Sequence, residues 1–330
     1  MLRRTFCQSA AAAAALAAFR TTLSFAKGNP VTDDPLLAPW TGPYGGFPRF
    51  DKVKVADVKP ALMKAMDLNR AEIAAIASSK AAPTFENTIA ALEVAGRPLN
   101  RVSAIFNVYT ATMADPPVRQ LEQEMAPVLA AFFDEFIQNE ALFARIKAVY
   151  DARATAKLTP EQVRLVEVVY RGFARQGAAL SAADKARLRE INGKLASLYT
   201  KFGQNELADE EHDALELTSE AELAGLPDLM RTSAKEAAEA KGRHGKWLIT
   251  NTRSSVEPFL VYSTRRDLRE KAWRMWVSRG EHDNRPVITE ILALRAEKAK
   301  LLGFSSHAHW IIDDNMARTP DAAMALALKV

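Results

Sequence analysis

The sequence has 330 residues, of which 48% are apolar, 25% charged and 8% aromatic. That is globular composition, with length for one large or two medium domains. Lysine and arginine number 44 against 40 acids, but Arg3, Arg4 and Arg20 fall in residues 1–26, where no acid occurs. The remaining 41 against 40 leave too small a surplus for a general nucleic-acid-binding surface, and Cys7, the only cysteine, lies in the same segment.

Residues 1–26 have the plan of an export signal. Leu2-Arg3-Arg4-Thr5-Phe6 precedes an alanine-rich stretch, and Ser24-Phe25-Ala26 offers small residues at the −3 and −1 positions of a cleavage site. Paired arginines followed by x-Phe resemble a twin-arginine signal, although Arg20 interrupts the apolar run. The expectation is an exported, periplasmic protein. After processing it has no cysteine for a disulfide, a thiol nucleophile or a metal site. No later apolar run approaches the ~20 residues that span a bilayer.

Residues 27–50 hold Pro30, Pro35, Pro39, Pro43, Pro48 and Gly45-Gly46, and read as an extended lead. Leu36, Leu37, Trp40, Tyr44 and Phe47 are expected to pack it along a surface. Residues 51–330 read as a mainly α, multi-helix lobe. Thr84 opens an apolar stripe (Ile89, Leu92, Leu99, Val102, Ile105, Phe106, Tyr109) that Pro98 should kink or break. Residues 116–150 repeat the theme with Leu121, Met125, Val128, Leu129, Phe132, Phe133, Phe136 and Ile137. Thr159-Pro160-Glu161 is an N-cap with proline at N1, opening a helix to about Arg175. Ser181 and Asp184 resemble a capping box for a long helix to about Glu211, whose buried face holds Leu188, Ile191, Leu195, Leu198 and Phe202. Residues 214–218 and 246–252 break the helical period and predict a small two-stranded β element around a helix over 228–241. Further helices are expected at 255–262, 266–279, 286–302, 306–313 and from Pro320. The last pattern runs to Val330 without a cap, so the chain is expected to be cut there.

Motifs that carry chemistry are missing. A zincin needs H-E-x-x-H, because residues four apart share a helical face and aim two imidazoles at one Zn²⁺. Four positions after His212, His244, His282, His307 and His309 stand Glu216, Leu248, Pro286, Ile311 and Asp313. None is histidine, and no glutamate follows a histidine directly. His309 and Asp313 share a face, but His307 and His309 point about 200° apart on a helix and read as a solvated or packing pair. His212 and His282, each between two acids, fit local electrostatics at helix ends. Gly303-Phe304-Ser305-Ser306-His307 fails as a nucleophile elbow at its last position. Gly242-Arg243-His244-Gly245-Lys246 is too short for a phosphate loop and reads as the turn before a strand. Asp313 and Asp314 should diverge at a solvated helix end. Trp273 and Trp276, with Arg266, Arg269 and Arg274 outside, fit a core stripe.

Several segments nevertheless match a known pattern in order. Phe50-Asp51-Lys52-Val53-Lys54-Val55 with Lys59-Pro60-Ala61, and Pro83-Thr84-Phe85-Glu86-Asn87-Thr88-Ile89, are similar to the entry helices of the thimet oligopeptidase family of zinc peptidases. Residues 180–192 with Leu195 and Phe202-Gly203-Gln204-Asn205 resemble its long helix, and residues 265–279, Asp283-Asn284-Arg285-Pro286 and 288–304, especially 291–304, its mid-chain segment. The branch resembled most is the bacterial peptidyl-dipeptidase (dipeptidyl carboxypeptidase).

That resemblance implies a mainly α lobe, the N-terminal one of a two-lobed channel enzyme that uses zinc to release C-terminal dipeptides from short unfolded peptides. It also implies that the zinc ligands and catalytic residues belong to a later half, so that residues 51–330 stop short of the zinc-binding region. No catalytic, metal or cofactor-binding residue carries over to any position here. The alternative from the residues alone is a non-catalytic helical module that binds a peptide or a partner; oligomeric state is left open.

Overall fold

Side chains that can satisfy the free amides of a first turn decide where several of these helices begin. The computed structural model describes residues 34–43, 46–281 and 283–329; residues 1–33, which include the expected export signal, and Tyr44, Gly45, His282 and Val330 lie outside them. The fold is mainly α with one small sheet. The chain divides into two compact units, residues 34–69 with 96–108, and residues 70–95 with 109–329.

In the first unit the lead is less extended than expected. It makes a short turn at 34–38, a bridge between Thr41 and Phe47, and a 3-10 turn at Phe50–Lys52. Leu36 and Leu37 are buried, while Phe47 faces solvent. Arg101 donates from Nε and Nη2 to the Leu37 carbonyl at 3.2 and 2.5 Å. Helix α1 (Val55–Ala77) contributes the buried Val58, Ala61, Leu62, Ala65 and Met66.

The expected stripe from Thr84 is interrupted, but not at the proline. Thr84 caps a π-helical turn (Phe85–Ala90) through a capping box with Asn87, and α2 (Ala91–Val94) continues it. The break falls at Ala95-Gly96, where Gly96 has φ +76°. Helix α3 (Arg97–Thr112) then starts afresh, so Pro98 sits in a first turn whose amides lack helical partners anyway. The run 116–150 also divides, because Asn139 accepts from the Leu142 amide at 2.9 Å and caps a new helix. The result is α4 (Pro116–Ile137) and α5 (Glu140–Ala152). Val128 and Phe133 of that run are exposed, not core.

Helix α6 (Pro160–Arg175) opens on the expected Thr159 cap, completed as a capping box by Gln162. Its aromatic face meets α5 and the end of α4: Tyr150 of α5 stacks on Tyr170 at 3.9 Å, and Phe136 of α4 meets Phe173 edge-on at 5.1 Å. Those rings surround a core that includes Ile73, Ile89, Leu142, Ile146 and Val166. Arg145, only 7% exposed, ties this core to the preceding loop. It donates to the carbonyls of Ser79 and Ala81 at 3.0 and 2.9 Å and to Asn87 Oδ1 at 2.9 Å.

Helix α7 (Ala182–His212) is the spine of the second unit, packed against α4 and, on another side, α11. Ser181 caps it, but Asp184 does not complete a box. Its shorter side chain accepts the Ser181 hydroxyl proton at 2.8 Å instead of reaching back to the backbone. Leu188, Ile191 and Leu195 are buried as expected, with Leu198 and Phe202 half-buried.

Strands β1 (Ala214–Leu217) and β2 (Trp247–Thr250) pair antiparallel, Ala214 opposite Thr250 and Leu217 opposite Trp247. Between them run a 3-10 turn (Glu220–Leu223) and α8 (Asp228–Ala240). This layer packs with α9 (Arg253–Tyr262) and α10 (Arg266–Val277) around Leu217, Ile249, Val256, Phe259 and Leu268. Helix α11 (Asn284–Leu301) returns to α7, where buried Asn284 accepts from Asn205 Nδ2 at 2.9 Å and donates to the Phe202 carbonyl at 3.1 Å. Gly280, at φ +69°, precedes it with no room for a side chain: a Cβ there would lie 2.6 Å from Asn284 Nδ2. Short helices α12 (His307–Ile312) and α13 (Pro320–Ala327) follow.

Candidate functional site

The residues weighed from sequence do not assemble into one catalytic centre. His212 bonds the Ala208 carbonyl at 2.7 Å in the last turn of α7, and exposed His244 pairs with Glu239. Gly242 and Gly303, both at positive φ, end helices. The amides of Arg243 and Gly242 bond the carbonyls of Ala238 and Glu239, and those of Phe304 and Gly303 the carbonyls of Ala299 and Lys300. This is the Schellman pattern, which favours glycine because it needs a left-handed residue. Neither segment is a phosphate loop or an elbow.

His309 Nδ1 and Ser306 Oγ lie 2.8 Å apart at the start of α12. Asp313, the metal partner considered for His309, is held by arginine: Arg175 Nε at 3.1 Å and Arg171 Nη2 at 3.6 Å. Asp314 pairs with the same two, Arg171 at 3.0 Å and Arg175 at 3.4 Å. The two acids therefore converge on α6 where divergence was expected, because two arginines one helical turn apart offer a fork for both. Trp276 packs on the core with Arg279 stacked over its ring at 3.9 Å, but Trp273 is 49% exposed, so only one of the pair is core. Among the described residues, no three His, Cys, Asp or Glu side chains gather as metal ligands.

What the fold does build is a cluster that the sequence search missed. Asp134 of α4, 6% exposed, accepts from Asn192 Nδ2 of α7 at 2.6 Å, and Asn192 Oδ1 accepts from Lys298 Nζ of α11 at 2.7 Å. A neutral amide thus relays between a carboxylate and an ammonium across three helices. Burial pushes the Asp134 carboxyl up, opposed by the Asn192 hydrogen bond and by Lys298 and Arg189. Burial likewise pulls the Lys298 ammonium down, with Asp134 pulling the other way. The sequence held one signal, an acid inside the apolar run Phe132-Phe133-Asp134-Glu135-Phe136-Ile137.

Lys298 also faces the Trp310 ring at 4.7 Å, at the edge of a cavity of about 480 Å³. Its walls come from α7 (Asn192, Leu195, Ala196, Tyr199), α11 (Arg295, Lys298) and α12 (His307, Trp310, Ile311). Trp310 is fixed by its indole N–H on the Arg175 carbonyl at 3.1 Å, and Arg175 donates back to the Trp310 carbonyl. Arg295 Nε donates to Tyr199 Oη at 2.8 Å. His307 lies 5.5 Å from the Trp310 ring, its Nδ1 buried and without a hydrogen-bond partner. Burial lowers the His307 pKa, and the charges of Arg295 and Lys298 lower it further. A second cleft of about 590 Å³ lies between α8 and β2–α9, walled mainly by Leu229, Met230, Ala234, Pro258 and Tyr262 with hydroxyls from Thr252, Ser254 and Ser255.

Residues 259–330 match Peptidase family M3. The chain is 38% identical over 297 residues to dipeptidyl carboxypeptidase of Escherichia coli (strain K12), covering 89% of this chain and 44% of that protein. To dipeptidyl carboxypeptidase of Salmonella typhimurium it is 36% identical over 301 residues, 90% of this chain and 43% of the relative. Oligopeptidase A of Salmonella typhimurium is 30% identical over 286 residues, 84% of this chain and 42% of its own length. The resemblance read from the sequence is borne out, and the chain spans less than half the length of these curated relatives.

Proposed function

From a chain of the M3 peptidase family, we propose the N-terminal part of an exported zinc metallopeptidase of the peptidyl-dipeptidase type, one that releases C-terminal dipeptides from short peptides. The observation that carries this reading is the alignment of about nine tenths of the chain with two dipeptidyl carboxypeptidases at 36–38% identity. The lower identity to oligopeptidase A favours the dipeptide-releasing branch.

Zinc is the cofactor such an enzyme needs, and the residues described here do not fit it. His309 and Asp313 share a helical face, but Asp313 is engaged by two arginines. His307 sits beside two cations, which disfavour a dication at the same place. In this reading the metal ligands and the catalytic base lie in sequence beyond residue 330. The present residues contribute a helical wall for the substrate, and the segment 1–26 directs the protein to the periplasm.

The reading frame downstream of codon 330 in the source DNA tests this. An in-frame continuation, or one restored by a single frameshift, that encodes H-E-x-x-H supports the proposal. A stop codon with no such motif in about the following kilobase (roughly the coding length of a 300-residue domain) overturns it and leaves the non-catalytic binding module.

A further inference from the structure

The cavity between α7, α11 and α12 is lined by two cations, Arg295 and Lys298, and no acid; Asp134, behind Asn192, offsets Lys298 only from outside it. Among the described residues Arg295 forms no ion pair; its one hydrogen bond, from Nε to Tyr199 Oη, leaves both terminal nitrogens of the guanidinium without an acceptor. Lys298 spends one proton on Asn192, and its remaining donors face the Trp310 ring and the cavity. The Tyr199 hydroxyl accepts from Arg295 and keeps its own proton to donate. His307 adds a buried Nδ1 with no partner.

Several arginines of the second unit meet acids: Arg171 and Arg175 take Asp313 and Asp314, and Arg187 takes Glu190 and Glu297. In this cavity Arg295 has only a tyrosine and Lys298 only an amide as hydrogen-bond acceptors. Two partly desolvated cations three residues apart on one helix repel each other, and an anion between them removes that repulsion. The other half of the wall is apolar, with Leu195, Ala196, Trp310 and Ile311. A bare inorganic ion leaves those side chains unfilled, whereas a carboxylate attached to an apolar or aromatic body uses both halves.

The geometry points to this cavity as a binding site for an organic carboxylate, held by the Arg295 fork and the Lys298 ammonium, with its apolar body against Trp310 and Ile311. Planar guanidinium matches a carboxylate with two parallel hydrogen bonds. The Asp134–Asn192–Lys298 relay has a role in this site: it pins the lysine from behind by a neutral amide, so that the ammonium is oriented while its charge still reaches the cavity. The aromatic ring of a ligand meets the indole of Trp310, itself fixed by the Arg175 carbonyl. The site stands on these residues whether or not the longer protein is a peptidase.

Titration calorimetry and tryptophan fluorescence on the 330-residue chain test it, with N-acetyl-L-phenylalanine as the probe and its C-terminal amide and inorganic phosphate as comparisons. The expected result is saturable binding of the acid that changes Trp310 emission, a change lost in Trp310→Phe. The amide and phosphate bind about tenfold more weakly or less, since each lacks one half of the recognition. Arg295→Met weakens the acid about tenfold or more and leaves the circular dichroism spectrum intact, because Arg295 is half-exposed and supports only Tyr199. Arg295→Lys recovers part of the affinity. No saturable binding of the acid overturns the proposal, as does equal binding of the amide, phosphate binding as tight as the acid, or an Arg295→Met protein that binds as the parent does.

Discussion

Replacing Asn192 by alanine removes the relay between Asp134 and Lys298, and its effect is calculable. Two short hydrogen bonds to charged groups disappear, at 2.6 and 2.7 Å. Such bonds contribute about 1.5–3 kcal/mol each, so the gross loss is about 3–6 kcal/mol. Lys298 is then free to move toward Asp134, and their direct attraction recovers part of this, leaving a net destabilisation of about 2–4 kcal/mol. For a unit of this size that lowers the melting temperature by roughly 5–10 °C. The deficit also depends on pH with a definite sign. The Asn192 hydrogen bond holds the Asp134 carboxyl down against burial, so without it the native carboxyl titrates higher still. A raised native value destabilises the fold above it and is relieved as pH falls toward the unfolded value near 3.9. Asn192→Ala is therefore most harmful at pH 7–8 and less so near pH 4–5. Thermal melts by circular dichroism across this range, with exposed Lys194→Ala as control, measure it. An Asn192→Ala protein within about 0.5 kcal/mol of the parent at pH 7 refutes the relay as a stabilising element.

Two further outcomes follow from other residues. His307 is held below its ordinary value by burial, Arg295 and Lys298, so the unfolded chain takes up a proton near pH 6.5 that the native state resists. Its contribution to stability is present above that pH and is lost as pH falls through it; His307→Gln should flatten the fall in melting temperature between pH 7 and 5.5, and an unchanged slope contradicts the assignment. Met324 and Leu326 in α13 and Leu328 just past its end are exposed by 55, 68 and 81%, on more than one side of the helix, and exposed apolar surface promotes association. Light scattering from the 330-residue chain should show self-association that Met324→Gln, Leu326→Glu and Leu328→Lys together reduce; scattering unchanged by them places the sticky surface elsewhere.

Elements whose signals are local were legible in the sequence. Thr159 with Pro160 fixes the start of α6 at the residue, because the cap hydroxyl and the proline act within one turn. The strands at 214–217 and 247–250 were visible because the helical period stops there, although only the fold shows their register. Breaks were harder. Pro98 drew attention, but the chain breaks two residues earlier at Gly96, since a proline in a first turn disturbs nothing. Asn139 divides 116–150 through a single cap that the uninterrupted apolar pattern concealed.

The candidate site was legible only in pieces. His307, His309 and Asp313 are close along the chain and so visible as candidate pairs. Asp134, Asn192 and Lys298 come from three helices and meet at separations of 58 and 106 residues. A lone asparagine on the flank of an apolar helix has no sequence signature; its meaning comes from the two charges that packing brings to it. The same holds for Arg295, which is one exposed-looking arginine among many until the fold shows that no acid meets it.

The central claim is that these residues form the non-catalytic part of a peptidyl-dipeptidase. It is tested most directly by incubating the purified 330-residue chain with an N-blocked pentapeptide, with and without added zinc, and following products by mass spectrometry. The account predicts no release of C-terminal dipeptide under either condition, because no histidine pair at four-residue spacing and no gathered set of donors exists among the described residues. Zinc-dependent, chelator-sensitive release of dipeptide by this chain alone would contradict it.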